Sequence, residues 1–145
     1  MESKIRLAGF NFTKVSIERM SDDFKDLKID TNIKILEVIE VKPEAFRSKE
    51  QILGIKFSYQ INYNEKIAEI IFEGKVLLAV DSKQAKEALK EWKNKKLPEE
   101  IQMPLINLII RKSNVRALSL EDELNLPYHV PFPSVKKGEA QKQEK

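Results

Sequence analysis

Apolar and polar residues alternate strictly between residues 55 and 63. One parity holds Ile55, Phe57, Tyr59, Ile61 and Tyr63, and the other holds Lys56, Ser58, Gln60 and Asn62. Because successive side chains of a strand point to opposite faces, this pattern predicts a strand with one apolar face. The segment 67–80 is apolar on both parities and predicts a second strand, paired with the first as a hairpin.

The turn sets the register of this hairpin. With Asn64-Glu65 as a two-residue turn, Phe57 faces Phe72, and Gln60 faces Glu69 on the polar side. Asn-Glu is weaker turn chemistry than Asn-Gly, so a slightly longer loop is the alternative.

Two further strands are predicted before the hairpin, at 4–20 and 29–42. The first changes phase near Gly9, which predicts a bulge, a bend or burial on both faces. The second has apolar residues on both parities, and Pro43 ends it.

After residue 80 the apolar residues recur at the spacing of a helix, every three to four positions. Asp81-Ser82 supplies a cap for a first helix, and Pro98 followed by Glu99-Glu100 marks the start of a second. The second helix has one apolar stripe of Ile101, Leu105, Leu108 and Ile109, and another of Ile106 and Ile110. A helix that is apolar on two sides has two packing partners, and another subunit is a candidate for one of them. The segment "SLED" resembles a capping box and predicts a separate brief turn at Ser119.

This order of elements predicts an α+β fold, a four-stranded antiparallel sheet with two C-terminal helices packed on one face. We expect one domain over 1–133 and a flexible charged tail over 134–145. Because the fourth strand is apolar on both parities, some of its side chains lie on the face without helices. Each apolar side chain left in water forgoes roughly 1.5–3 kcal/mol, so the pattern predicts a covering subunit or an apolar ligand.

Composition narrows the class of protein. The 145 residues are 41% hydrophobic and 34% charged, and they include no cysteine, which excludes disulfides and thiolate metal sites. No apolar run reaches about eighteen residues and the N-terminal residues lack a signal-peptide pattern, so we expect a cytoplasmic protein without membrane insertion. The net charge of +3 is spread among interleaved acids and bases. The lysines near 83–96 and in the tail support an alternative function, binding of RNA or ribonucleoprotein.

The sequence offers little catalytic chemistry. His129 is the sole histidine, and without cysteine or a second histidine it lacks partners for a metal or acid–base site. The carboxylate pairs at 22–23, 99–100 and 121–123 fit helix capping and the helix dipole. Each glycine stands alone, so no phosphate-binding loop is present. We therefore expect no enzyme activity, no metal and no cofactor.

Three segments together resemble the SecB-type protein-export chaperones. The first is "FNFTKVSIERM" at 10–20, where an aromatic pair precedes a polar step and a hydrophobic-Ser-hydrophobic-acid ending. The second is the alternating hairpin at 55–80. The third is the proline-flanked helix with its "LNLP" continuation at 124–127. The resemblance covers most of 4–132.

The resemblance implies an ATP-independent holdase that binds unfolded polypeptides in hydrophobic grooves, without catalysis. It also implies homo-oligomers built as a dimer of dimers, and a role in protein export. The chain departs from the family in being slightly basic rather than acidic. Its proline-rich end also replaces the mobile helix that contacts the export motor, so a general holdase or a chaperone for one client, such as an antitoxin, is an alternative to export.

Site residues follow from the aromatic side chains, which give broad apolar contact without demanding one geometry. The expected peptide-binding residues are Phe10, Phe12, Phe24, Phe46, Tyr59, Tyr63 and Trp92. The expected oligomer-interface residues are Ile17, Ile106 and Ile110. Phe57 and Phe72 are expected in the core.

Overall fold

A computed structural model describes residues 5–41, 51–64, 66–131 and 133 of the chain. Its elements, in chain order, are β1 (Arg6–Arg19), β2 (Ile29–Val41), β3 (Gln51–Tyr63), β4 (Ala68–Val80), α1 (Ser82–Trp92) and α2 (Glu99–Glu123). The strands form one four-stranded antiparallel sheet in the order β1-β4-β3-β2. The predicted α+β class is confirmed, and the tail predicted at 134–145 lies outside the described residues.

The β3–β4 register differs from the predicted one by two residues. Tyr63 pairs with Ala68, and Phe57 lies opposite Gly74 instead of Phe72. Asn64 has a left-handed φ of 51°, and the Ile67 amide donates to the Tyr63 carbonyl at 3.1 Å. The connection is therefore longer than the two-residue turn. A two-residue shift keeps every side chain on its predicted face, because the side-chain period of a strand is two.

Bulges interrupt both edge strands. In β1 the register shifts between Leu7 and Gly9 and again between Phe12 and Lys14, so a bulge is the one of the predicted alternatives that occurs near Gly9. In β2 the register shifts around Leu36, which is 47% exposed. Each shift changes which residues of the strand face the helices, and this accounts for the mixed parity of both segments.

The core lies between one face of the sheet and the two helices. On this face the β3 side chains from Ile55 to Tyr63 are almost fully buried. At the start of α1, the Asp81 carboxylate accepts from the Gln84 amide at 2.7 Å, and the Asp81 amide donates to Gln84 Oε1 at 3.1 Å. Ala85 and Ala88 are fully buried, and small side chains allow α1 to pack closely against the sheet.

Helix α2 contributes the rest of the core through a row of residues four apart. This row consists of Ile101, Leu105, Ile109, Ser113, Ala117 and Glu121, all buried. The predicted separate turn at Ser119 is wrong, because α2 continues to Glu123 and the Leu124 amide still donates to the Leu120 carbonyl at 3.0 Å. Buried Ala117 and Leu120 hold this part of the helix on the core, so packing overrides the local capping signal.

No described helix covers the other face of the sheet. Ile39, Val41 and Leu77 gather there around Gly54, at one end of the face. Ile71 also lies on this face, opposite Gln60 and Ser16. Most of the remainder is polar, and Lys56 Nζ lies 3.2 Å from Glu37 Oε2. The predicted second apolar face is therefore apolar mainly at one end.

Candidate functional site

A groove with a volume of about 550 Å³ lies beside edge strand β2, which has no described strand on its outer side. Its walls come from three elements and the α1–α2 connection. The lining residues are Ile33, Ile35 and Leu36 from β2, Trp92 from α1, Lys95, Lys96 and Leu97 from the connection, and Gln102 and Ile106 from α2. We call this the β2 groove. Its volume lies in the range of ligand-binding clefts. Six of its nine lining residues are apolar, and Lys95, Lys96 and Gln102 make the rest of its surface polar.

Local backbone geometry builds the groove. The β2 bulge turns Leu36 outward, and Trp92 is the last residue of α1. After α1 the Lys95 amide donates to the Trp92 carbonyl at 2.8 Å, and the Lys96 amide donates to the Glu91 carbonyl at 3.3 Å. This pair of bonds is a Schellman motif, with Lys95 in the left-handed conformation at φ 59°. It directs the chain along the groove and places Lys95 Nζ 5.0 Å from the Trp92 ring centroid.

A second apolar surface lies at the opposite edge of the sheet, on the helix-facing side of β1. We call it the β1 row, and its members are Leu7, Phe10, Phe12, Val15 and Ile17. Leu7 is 43% and Val15 is 41% exposed, while the other three are partly buried against the core. The Phe12 ring lies 5.2 Å from that of Phe72, so the row continues the core outward to the edge of the sheet.

The structure distributes the predicted peptide-binding residues over several places. Phe10 and Phe12 lie in the β1 row, and Trp92 lines the β2 groove. Phe24 lies in the β1–β2 connection under the Arg19 guanidinium, 4.9 Å from its ring centroid. Phe46 lies outside the described residues.

The two predicted tyrosines are buried in the core. Tyr59 is 3% and Tyr63 is 0% exposed, so neither side chain lines a surface in this arrangement. Among the predicted interface residues, Ile17 belongs to the β1 row and Ile106 lines the β2 groove. Ile110 is partly buried on α2, one turn beyond Ile106.

The tyrosines belong to a buried polar network that ties the segment after α2 to the sheet. The Tyr63 hydroxyl donates to Glu121 and lies 2.7 Å from the Pro127 carbonyl. His129 Nδ1 lies 2.9 Å from Glu121 Oε2, and His129 Nε2 lies 2.7 Å from Asn114 Oδ1. Asn114 Oδ1 also accepts from the Tyr59 hydroxyl at 2.7 Å. His129 therefore has a structural role, which agrees with its lack of partners for a metal or acid–base site.

Glu121 corrects the interpretation of the carboxylates at 121–123. It lies in the last turn of α2, where the helix dipole disfavours a negative charge. The carboxylate is instead fully buried and held by Tyr63 and His129. Its role is therefore to bind the following segment and not to complement the dipole.

Alkaline pH is expected to destabilise the protein through these tyrosines. Burial, and then the Glu121 charge, raise the pKa of Tyr59 to about 12. Burial and the hydrogen bond to Glu121 raise the pKa of Tyr63 as well. An unfolded tyrosine titrates at about 10, so their contribution is complete below that pH and is lost as the pH rises from about 10 towards 12. Urea unfolding across this range should show a shallower decline for Tyr59→Phe than for the unaltered protein, and equal declines would contradict the assignment.

Other chemistry is sparse in the part of the chain that the structure describes. Within it, no group of three histidine, cysteine or acidic side chains could hold a metal ion. No helix there is long and apolar enough to cross a membrane.

Several residues of the β2 groove were not anticipated from the sequence. From the sequence, Lys95 and Lys96 are included only among the lysines near 83–96 that support RNA binding as an alternative function, and not in an apolar groove. For Leu36 the sequence does contain a signal of the bulge, because this apolar residue is out of phase with Ile33 and Ile35. No local signal pairs β2 with the α1–α2 connection, which lies about fifty residues further along the chain.

Comparison with known proteins gives a fold relationship. No family model and no curated protein matches the sequence. Among solved structures, the chain is similar to the SecB-like chaperone Rv1957 of Mycobacterium tuberculosis in complex with a ChAD peptide from the HigA1 antitoxin. The TM-score is 0.57 at 11% identity, over 91% of this chain and 88% of that one. A protein of unknown function from Streptococcus agalactiae matches with a TM-score of 0.41 at 10% identity, over 92% of this chain and 100% of that one. The first match shows that the sheet and helices share the fold of a SecB-like chaperone.

Proposed function

We propose that this protein is an ATP-independent holdase chaperone that binds unfolded or non-native polypeptides and catalyses no reaction. The β2 groove carries the proposal, because it combines apolar walls with an edge strand whose outer side has no described partner. The sequence resemblance to SecB-type chaperones supports it. So does the shared fold with a SecB-like chaperone whose structure contains a peptide.

An extended client segment suits this groove physically. Its backbone can hydrogen-bond along the edge of β2 that has no described partner, while alternate side chains enter the cleft. Trp92 and Ile106 supply two of the cleft walls. Each such contact is weak and depends little on sequence, as a holdase with varied clients requires.

We also propose that the protein is a cytoplasmic homo-oligomer, a dimer of dimers. Ile17 in the β1 row and Ile110 on α2 are the proposed interface residues, since both are apolar and incompletely covered. Several grooves on one assembly would hold a client through effective concentration. The molar mass of the purified protein, from light scattering, tests this arrangement. We include in the proposal that one use of the holdase is the delivery of clients to an export machinery.

Suppression of client aggregation tests the function. At near-stoichiometric ratio and without nucleotide, the protein is expected to suppress the light scattering of a chemically unfolded client. Leu36→Asp should lose most of this suppression, because it places a charge in the apolar groove.

The matched control is Val115→Asp, which changes a 69% exposed apolar residue of α2 outside the groove. This variant should keep the suppression. Unchanged light scattering of the client at an excess of the unaltered protein would contradict the proposed function. Equal loss of suppression in both variants would show that the β2 groove is not the client-binding site.

A further inference from the structure

We infer that the β2 groove selects client segments in which apolar side chains lie next to aspartate or glutamate. The inference rests on the proposed function, because it names the client class for the same groove. Three polar side chains line the groove among the described residues, namely Lys95, Lys96 and Gln102. None is acidic, so the apolar walls are bordered by positive charge alone.

Lys95 is held at this border in a backbone conformation that a lysine rarely adopts. Lys95 occupies the left-handed position that closes the Schellman motif after α1. Glycine is the usual residue there, because a side chain makes the left-handed conformation unfavourable. Residues kept in such conformations are concentrated at functional sites, where the neighbouring structure offsets the strain. The lysine side chain lies over the Trp92 ring, on the wall of the groove.

Among the described residues, no acid lines the groove beside this positive border. Glu37 on β2 points to the opposite face of the sheet and is paired with Lys56 at 3.2 Å. Glu91, Glu99 and Glu100 are exposed and do not line the groove. Lys90 and Lys93, close by in the chain, add positive charge.

A client carboxylate beside an apolar stretch can therefore meet an ammonium while its apolar neighbours fill the cleft. A client lysine at the same place would face like charge. Exposed ion pairs are weak individually, so two of them predict a preference on the order of 3- to 10-fold for the acidic segment. The preference should shrink at high salt, where the screening length falls to about 3 Å at 1 M.

Trp92 allows a direct measurement, because it is the sole tryptophan and lines the groove. Two synthetic peptides share one apolar, tryptophan-free core and carry either flanking glutamates or flanking lysines. Titration of Trp92 fluorescence in the full-length protein gives a Kd for each. We expect tighter binding of the glutamate peptide by the factor above, and loss of the difference at about 1 M salt.

Substitutions connect the preference to named residues. Lys95→Gly should raise stability, since glycine suits the left-handed position, and yet reduce the preference. Lys95→Gln removes the charge without that backbone gain, and the double change Lys95→Gln with Lys96→Gln should abolish the preference. Lys112→Gln makes the same change in charge on an exposed position of α2 outside the groove, and should leave the preference intact.

The outcomes separate the two levels of the argument. Equal affinity for both peptides, or a preference for the lysine peptide, overturns the inference and leaves the holdase standing. Failure of both peptides to bind, together with unsuppressed client aggregation, overturns the proposed function as well.

Discussion

Glu121→Ala is expected to lower the free energy of unfolding by about 2–5 kcal/mol, because it leaves buried donors without their acceptor at a cost of about 1–3 kcal/mol each. The substitution leaves His129 Nδ1 without its acceptor at 2.9 Å and deprives the His129 amide of an acceptor at 3.3 Å. The Tyr63 hydroxyl keeps only the Pro127 carbonyl. Urea unfolding at fixed protein concentration measures the loss. Chymotrypsin cleavage after Tyr128 should accelerate in parallel, because the segment after α2 is no longer held on the core.

Two further variants make this expectation specific. Glu123→Ala alters an exposed acid two residues along α2 and should change stability by no more than about 0.5 kcal/mol. Glu121→Gln keeps one acceptor oxygen and should fall between the unaltered protein and the alanine variant. A Glu121→Ala protein as stable as Glu123→Ala would show that the buried network does not hold the C-terminal segment.

Gly74→Ala is expected to lower stability by about 1–3 kcal/mol, as overpacking of a close contact does. A Cβ atom at residue 74 would lie 2.5 Å from the Asn11 carbonyl oxygen of β1 and 2.7 Å from the Phe57 ring. The carbonyl is backbone, and Phe57 is fully buried, so neither can move aside cheaply. The substitution should therefore force β1 away from β4 and disturb the β1 row. Thermal and urea unfolding measure the effect.

Gly9→Ala is the matched control, on the strand that faces β4. A Cβ there would lie 3.3 Å from Leu77 Cδ1, the end of a partly exposed side chain that can shift. Removing a glycine also restricts the unfolded chain, which favours the folded state. We expect a change within about 0.5 kcal/mol of zero. Similar large losses at both glycines would mean that the strand contact seen at Gly74 is not the cause.

Much of the fold could be predicted because it depends on short-range patterns. Alternation at 55–63 identified the buried face of β3, and the capping residue Asp81 located the start of α1. The stripe of Ile101, Leu105, Leu108 and Ile109 is buried as predicted. Where a local signal competed with packing, packing decided, as at Ser119, which lies within a continuous α2.

The candidate site was less accessible to such reasoning. Tyr59 and Tyr63 were expected at a surface because an apolar strand face does not reveal which part of it a helix will cover. Trp92 and Ile106 were singled out for different roles, and the structure places both on the β2 groove. No sequence signal pairs Glu121 with His129, because the carboxylates at 121–123 fit helix capping and the helix dipole equally well.

By itself, the sequence determined the kinds of element, their apolar faces and the absence of thiol chemistry, because each of these depends on residue type and on spacings of two to four positions. The tertiary structure alone decided the strand order β1-β4-β3-β2, the hairpin register, the groove and the partner of His129. The physical reason is that a two-residue slip preserves every face, while a groove or a buried hydrogen-bond network exists only when segments distant along the chain exclude water from one another.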